Sequence, residues 1–332
     1  LNISPNLEVK GESFYVEYID SCLKMLEDAN LIHHESTRVL VNCDPYKKLT
    51  YIKSEEKGCG YTYDTTDIVA LWYRTQVMNA DEIYYVVDDR QSLHFEQVFN
   101  VGKLMGWTTN KIIMHVKFGT ILDKDGKPLR ARSGDAPKLI DLINESIDKT
   151  IEQFKNKNRT IEDFNYEINA LAIGSLKYQD YSKCRTSDYK FNSEQMLKFE
   201  GNTYTFLSYT ISRIRGIMDQ LDKNNLFQSL NNHIVEINDL SEIDFKVIKK
   251  IMYFTQVIEN VESTKMIHEF VEYLSKLSYA FNNNYTNSRY LNFDNNNNLI
   301  NYNLSKLVMC KLIFNILDTS CKLLGLQLIS KM

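Results

Sequence analysis

The hydrophobic period of this chain changes once, near Gly134, and the change calls for two kinds of architecture. Before it, short apolar runs alternate with stretches of helical spacing. Glu82–Asp88 is a continuous apolar run through Ile83, Tyr84, Tyr85, Val86 and Val87, the pattern of a parallel strand covered on both faces. Arg38–Cys43 reads as an earlier strand and Lys111–Phe118 as a later one. Residues 13–29, 65–78 and 92–105 carry helical spacing between them. Alternating strands and helices predict an α/β fold with a doubly wound parallel sheet.

After Gly134 the apolar residues keep a helical period. Leu139, Ile140, Leu142, Ile143, Ile147, Ile151 and Phe154 share one broad face. Further helices are expected over 163–179, 193–222, 242–259, 261–283 and 304–324. The charge-rich run Lys155–Asp163 is the expected junction, which divides the chain into residues 1–160 and 161–332. Asn282–Asn303 is rich in asparagine, which disfavours helix and strand, so a mobile insertion without a functional site is expected there.

With only 4 prolines and 12 glycines in 332 residues, regular elements should dominate. A net charge of −4 argues against a globally basic coat for nucleic acid. An RNA partner would need a local basic surface. Three groups offer one: Lys127, Arg130 and Arg132; Lys149, Lys155, Lys157 and Arg159; and Arg213 with Arg215. Taken singly, each is better explained as a solvated helix face. The 6 cysteines form no CxxC pair and no zinc-type spacing with the 6 histidines, which fits reduced thiols in a cytoplasmic enzyme. No apolar run reaches the roughly 18 residues needed to span a bilayer; Lys311 and Asn315 interrupt the nearest one, so no membrane partner is expected.

Three places can carry chemistry. Tyr63 and Asp67 are four residues apart at the start of a helix and can face one space. A carboxylate there can take a guanidinium in a two-pronged contact, but an aspartate at a helix start also complements the backbone amides and the dipole. Gln91 and His94 follow the strand 82–88, at the end of a parallel strand where such sheets bind ligands; capping explains them equally. Lys127, Arg130, Arg132 and Ser133 lie in a glycine-punctuated loop leading into a helix. Cations on such a loop suit a departing pyrophosphate, as they suit a hairpin in solvent. No Walker A loop, G-x-G-x-x-G or G-x-S-x-G is present.

The order of these pieces adds what no single one supplies. The sequence runs Gly11-Glu12-Ser13-Phe14-Tyr15, then Gly60–Asp67, then Tyr85-Val86-Val87-Asp88 with Gln91 and His94, then Phe118-Gly119 with Arg132-Ser133-Gly134. Lys177–Phe191, Phe199–Arg215 and Tyr273–Tyr285 follow. In order and spacing this series resembles the signatures of arginyl-tRNA synthetases, class I aminoacyl-tRNA synthetases, in their eukaryotic form. The resemblance implies part of a Rossmann-type parallel sheet followed by an α-helical anticodon-binding bundle. It implies activation of arginine with ATP and magnesium, and transfer to tRNA(Arg), by a monomer. Tyr63, Asp67 and Gln91 would hold arginine, and His94 would lie near adenosine. Lys127, Arg130, Arg132 and Ser133 would stand for the Lys-Met-Ser-Lys-Ser loop. Tyr178, Arg185, Tyr189, Tyr209, Arg213, Tyr285 and Met332 would meet the tRNA, where aromatic rings stack on splayed bases.

Three departures stand out. Cys184 occupies a position where the family usually has asparagine, and Trp72-Tyr73 replaces a pair that usually carries Arg or Lys. The His-x-Gly-His signature that stabilises the ATP phosphates is absent; His33-His34-Glu35-Ser36 is a different pattern. The expectation is therefore the C-terminal portion of a synthetase, incomplete for catalysis alone. A non-catalytic tRNA-binding paralogue or fragment is the alternative.

Overall fold

Helix and strand signals in the first third of the chain compete for one apolar core, and the computed structural model shows how they share it. It describes residues 8–43, 49–54, 60–122, 125–127, 138–156, 164–190, 193–198, 200–224, 240–296 and 298–329. Internal contacts divide the chain into two units, one spanning Ser4–Thr120 and one running from Ile121 to Met332.

In the first unit a 3-10 helix, Glu12–Tyr18, leads into α1 (Ile19–Asp28), where a single α-helix over 13–29 was expected. Asn30, at φ 58°, turns the chain into strand β1 (Ile32–Glu35); asparagine tolerates this left-handed conformation better than most residues. β1 pairs antiparallel with β2 (Arg38–Asn42), and β2 pairs antiparallel with β3 (Leu49–Ser54). The strand expected over 38–43 is thus real, but it is the middle of an antiparallel sheet and not a member of the parallel one. The polar run Ile32-His-His-Glu35 conceals its partner, because three of its four side chains face solvent.

α2 (Tyr63–Trp72) follows, with Ile68, Val69, Ala70 and Leu71 all buried. It continues into a π-helical turn, Tyr73–Val77, a geometry that often accompanies functional sites. β4 (Glu82–Tyr85), α3 (Ser92–Leu104) and β5 (Ile112–His115) form a parallel βαβ unit in the register Glu82↔Ile112 to Tyr85↔His115. An isolated bridge from Asp88 to Phe118 extends the pairing. α2 and α3 approach closely at Gly102, where an added Cβ would lie 2.7 Å from Leu71 Cδ2. Ile19, Cys22, Leu26, Val41, Leu71, Val98 and Val101 fill the core.

The second unit is mainly helical. β6 (Ile121–Leu122) pairs in parallel with β7 (Tyr189–Lys190). α4 (Leu139–Asn156) packs on α5 (Asn165–Tyr181), where Ser146 Oγ donates to the Ala172 carbonyl at 2.9 Å. The helix expected over 193–222 is two: α6 (Ser193–Met196) and α7 (Tyr204–Lys223). Gly201, at φ +85°, separates them, and Thr203 caps α7 by accepting from Phe206 N–H. α8 (Glu242–Met252), α9 (Phe254–Thr264) and α10 (Ile267–Asn287) follow, broken at Tyr253 and at Lys265. α11 (Leu304–Leu323) closes the bundle. Among the described helices none is long and apolar enough to cross a membrane.

The Asn-rich segment departs most from expectation. It holds the last turns of α10 and a hairpin of β8 (Leu291–Phe293) and β9 (Leu299–Tyr302). Asn284, fully buried, donates to Asp244 Oδ1 at 2.7 Å and accepts from the Tyr290 hydroxyl at 2.7 Å. Asp244 also completes a capping box with Ser241 and lies 3.6 Å from Lys306 Nζ. Asparagine here is a buried connector between α8, α10 and the hairpin.

Candidate active site

The start of α2 gathers Tyr63, Asp64 and Asp67 within its first turn and a half. Thr62 is the N-cap residue and makes no side-chain capping bond. Neither does Asp67 cap the helix, because its carboxylate turns to α3. There His94 Nε2 meets Asp67 Oδ2 at 2.7 Å, and His94 Nδ1 meets Asp64 Oδ1 at 2.8 Å. The imidazole therefore bridges two aspartates three residues apart on one helix face. The Tyr63 ring stands edge-on to it at 5.1 Å, and Phe95 does so at 4.8 Å. Burial disfavours the charged ring, but the hydrogen bonds it donates to Asp64 and then Asp67 outweigh this, raising the His94 pKa to about 9. No group of three or more His, Cys, Asp or Glu among the described residues is placed to hold a metal ion; at these distances the ring and carboxylates bond to each other.

Beside this clamp lies a cavity of about 230 Å³, lined by Lys10, Glu12, Tyr15, Tyr63, Thr66, Asp67 and Arg74 among others. Thr66 Oγ1 donates to Glu12 Oε1 at 2.9 Å, which ties the 3-10 helix to α2. The Arg74 guanidinium lies over the Tyr15 and Tyr85 rings, at 5.5 and 5.3 Å from their centroids. The cavity thus offers two carboxylates, two tyrosines and two cations, Lys10 and an Arg74 guanidinium already held by aromatic faces; its Asp67 carboxylate can take one cationic, planar ligand group.

Gln91 does not line this cavity. It is the exposed N-cap of α3, and its N–H donates to the Asp88 carbonyl at 3.0 Å. Asp88 and Arg90 form two side-chain bonds of 2.8 Å, and these hold the Asp88 carboxyl down at about 2. Lys127 is exposed; Arg130, Arg132 and Ser133 lie outside the described residues, as does Met332.

The residues expected to meet RNA divide into two groups. Tyr178 is a core residue, 1% exposed, with its hydroxyl donating to Asn202 Oδ1 at 2.9 Å; its ring has no face for a base, which corrects that expectation. Arg185 donates to the Lys265 carbonyl at 3.4 Å, beyond the end of α9, and the Tyr189 hydroxyl donates to Asp180 at 2.6 Å. Tyr209, Arg213 and Tyr285 come together. The Arg213 guanidinium lies 4.5 Å from the Tyr209 ring centroid and 4.8 Å from that of Tyr285, and donates to Asn282 Oδ1 at 2.7 Å. Arg213 and Tyr285 also line a cavity of about 640 Å³ between α7 and β8, together with Arg289 and Tyr290.

Asp64, Glu12 and Arg74 were not singled out in the sequence. The i, i+3 spacing of Asp64 and Asp67 was the available signal; nothing local marks Arg74, whose aromatic partners come from other elements.

Comparison with known proteins adds the following. Residues 1–193 match the family model for tRNA synthetases class I (R), catalytic domain, and residues 207–332 match the DALR anticodon binding domain. The chain is 32% identical over 335 residues to the cytoplasmic arginine–tRNA ligase of Xenopus tropicalis, covering 97% of this chain and 50% of that protein. It is 32% identical over 333 residues to the arginine–tRNA ligase of Acanthamoeba polyphaga mimivirus, covering 98% and 54%. The chain thus spans about half the length of the curated relatives it matches. The arginyl-tRNA synthetase of Plasmodium falciparum superposes with a TM-score of 0.78 at 27% identity, over 98% of this chain and 54% of that one. The Thermus thermophilus enzyme shares the fold with a TM-score of 0.79 at 17% identity, over 95% and 58%.

Proposed function

The chain belongs to the class I tRNA synthetases for arginine, and from that premise we propose that it supplies the arginine-selecting and tRNA-reading portion of an arginine–tRNA ligase acting in cytoplasmic translation. In that reaction a carboxylate oxygen of arginine attacks the α-phosphorus of ATP. The bond to the bridging oxygen breaks, and pyrophosphate leaves; magnesium bound to the phosphates would neutralise their charge. A hydroxyl at the tRNA 3′ end then attacks the acyl carbon of the adenylate, and AMP departs. The protein's share is positioning and charge stabilisation.

Residues 1–160 carry the catalytic share, with Lys127, Arg130, Arg132 and Ser133 as the loop that meets pyrophosphate. Residues 161–332 carry the anticodon share. The observation that carries the reading is the cavity bordered by Tyr63 and Asp67, whose carboxylate is aimed by His94. Tyr63 and Asp67 receive the guanidinium, and Gln91, outside that cavity at the start of α3, would meet only a part of the substrate that extends beyond it. His94 borders the adenosine side with both nitrogens already bonded. In the bundle, Tyr209 and Tyr285, bridged by Arg213, present aromatic and cationic surface to the bases of tRNA(Arg).

A module that only binds tRNA gains nothing from a carboxylate-lined cavity, so the cavity favours the ligase reading. Asp67→Ala, assayed by arginine-dependent ATP–pyrophosphate exchange in the full-length enzyme, should lose activity at least a hundredfold. Its tRNA affinity should change less than about twofold. Parallel loss of both would assign Asp67 to the fold and remove it from the arginine site.

A further inference from the structure

The geometry points to Asp64 and His94 as positioning residues for arginine selection: Asp64 anchors the His94 ring, and the ring fixes the Asp67 carboxylate that takes the guanidinium. The inference deepens the proposed function and rests on its arginine site.

A neutral imidazole has one N–H and one lone pair. Here each ring nitrogen lies within 2.8 Å of a carboxylate oxygen. A lone pair directed at a carboxylate would be repelled, so both nitrogens donate and the ring is an imidazolium. Asp64 is further engaged by the Thr62 hydroxyl, which donates to Oδ2 at 3.3 Å, and only 8% of Asp64 is exposed. It is therefore held in the protein, whereas Asp67 lines the cavity. The three groups form a chain from a held carboxylate, through a cation, to a carboxylate at the ligand.

Two consequences follow for the ligand. The imidazolium cancels one of the clamp's two carboxylate charges, so the clamp itself carries one net negative charge, which matches one guanidinium. The bond from Nε2 also occupies one side of Asp67 Oδ2, which fixes the plane of the carboxylate. A lysine ammonium is a point charge that accepts many carboxylate orientations, whereas the planar fork of a guanidinium accepts few. The clamp thus contributes to preference for arginine over lysine more than to binding of any cation.

The other groups around the clamp are accounted for. From α2, Tyr63 faces the ring edge-on. On α3 itself Phe95 faces it, and behind Phe95 lies His115 of β5, which bonds the Val87 carbonyl. Ahead of α3, Asp88 and Asp89 are paired with Arg90 and Lys117. Lys10, Glu12 and Arg74 border the cavity.

The test has two readouts. With histidine-selective labelling of this chain, NMR should show His94 protonated on both nitrogens at about pH 7.5, and Asp64→Asn should lower its midpoint by a pH unit or more. A neutral His94 at that pH, or a midpoint unmoved by Asp64→Asn, overturns the clamp without any variant needing to bind a ligand. In calorimetry with L-arginine, L-lysine and ATP, Asp64→Asn and His94→Gln should lower the preference for arginine over lysine by about tenfold. In Asp64→Asn ATP affinity should change less than about twofold, and Asp64→Glu should restore part of the preference. Unchanged preference in both variants, or equal loss of ATP binding in Asp64→Asn, overturns the positioning role. If the unaltered chain shows no preference for arginine, the arginine-site reading itself fails and takes the inference with it.

Discussion

Held between two carboxylates, His94 stays protonated far above the pH at which a free imidazole loses its proton. Its folded pKa of about 9 exceeds the unfolded value of about 6.5, so the folded chain keeps a proton that the unfolded chain releases. The stabilisation is complete below about pH 6.5 and fades as pH rises through about 9. It amounts to on the order of 3 kcal/mol for the unit Ser4–Thr120. The melting temperature of that unit should fall between about pH 7 and pH 9.5, and in His94→Gln this part of the fall should disappear. Identical pH dependence in both proteins would assign the titration elsewhere. Tyr63 and Asp67 were legible in the sequence because a four-residue spacing is a local fact. The link from Asp64 to His94 crosses 30 positions between two helices, and no local pattern encodes it. Tyr178 shows the converse: a motif aromatic at helical spacing proved to be core, because burial is decided by neighbours the motif does not contain.

Among the elements, most helices and the parallel strands β4 and β5 were legible because their apolar periods are strong, whereas β6 and β7, two residues each, were not. The breaks were less so: Gly201 and Lys265 interrupt periods that continue across them. Arg38–Cys43 announced itself as a strand, but one strand's pattern does not say whether its partner runs parallel or antiparallel. The Asn-rich segment was misjudged for a different reason. Propensity treats asparagine as a solvated breaker, whereas Asn284 is enclosed and meets Asp244, Tyr290 and Ser288 with its side chain. Asn284→Ala would leave the Asp244 carboxylate and the Tyr290 hydroxyl each short of a partner in the core. The expected loss is about 2 kcal/mol in the stability of the helical unit, read by chemical denaturation. Hydrogen exchange in β8 and β9 should quicken in the same variant. Wild-type stability with unchanged exchange would mean that the hairpin is held by other contacts.

Across the whole molecule, the change of period near Gly134 correctly announced an α/β portion followed by helices. The division by contacts falls between Thr120 and Ile121, well ahead of the boundary expected after residue 160, and α4 packs on α5 and so joins the bundle. Sequence pattern reports where the chemistry of a segment changes, and contacts report what it is packed against; α4 lies between the two boundaries. Seven short resemblances in order carried the family, and the structure added what they lack: a cavity, its charges and the orientation of one carboxylate. The central claim is that this cavity selects a guanidinium by charge and by plane. Calorimetry of this chain with L-arginine and with L-citrulline, its neutral isostere, tests that claim most directly. Arginine should bind at least about a hundredfold more tightly, since a carboxylate facing a urea loses its charge-assisted bonds. Equal affinity for the two amino acids would contradict it.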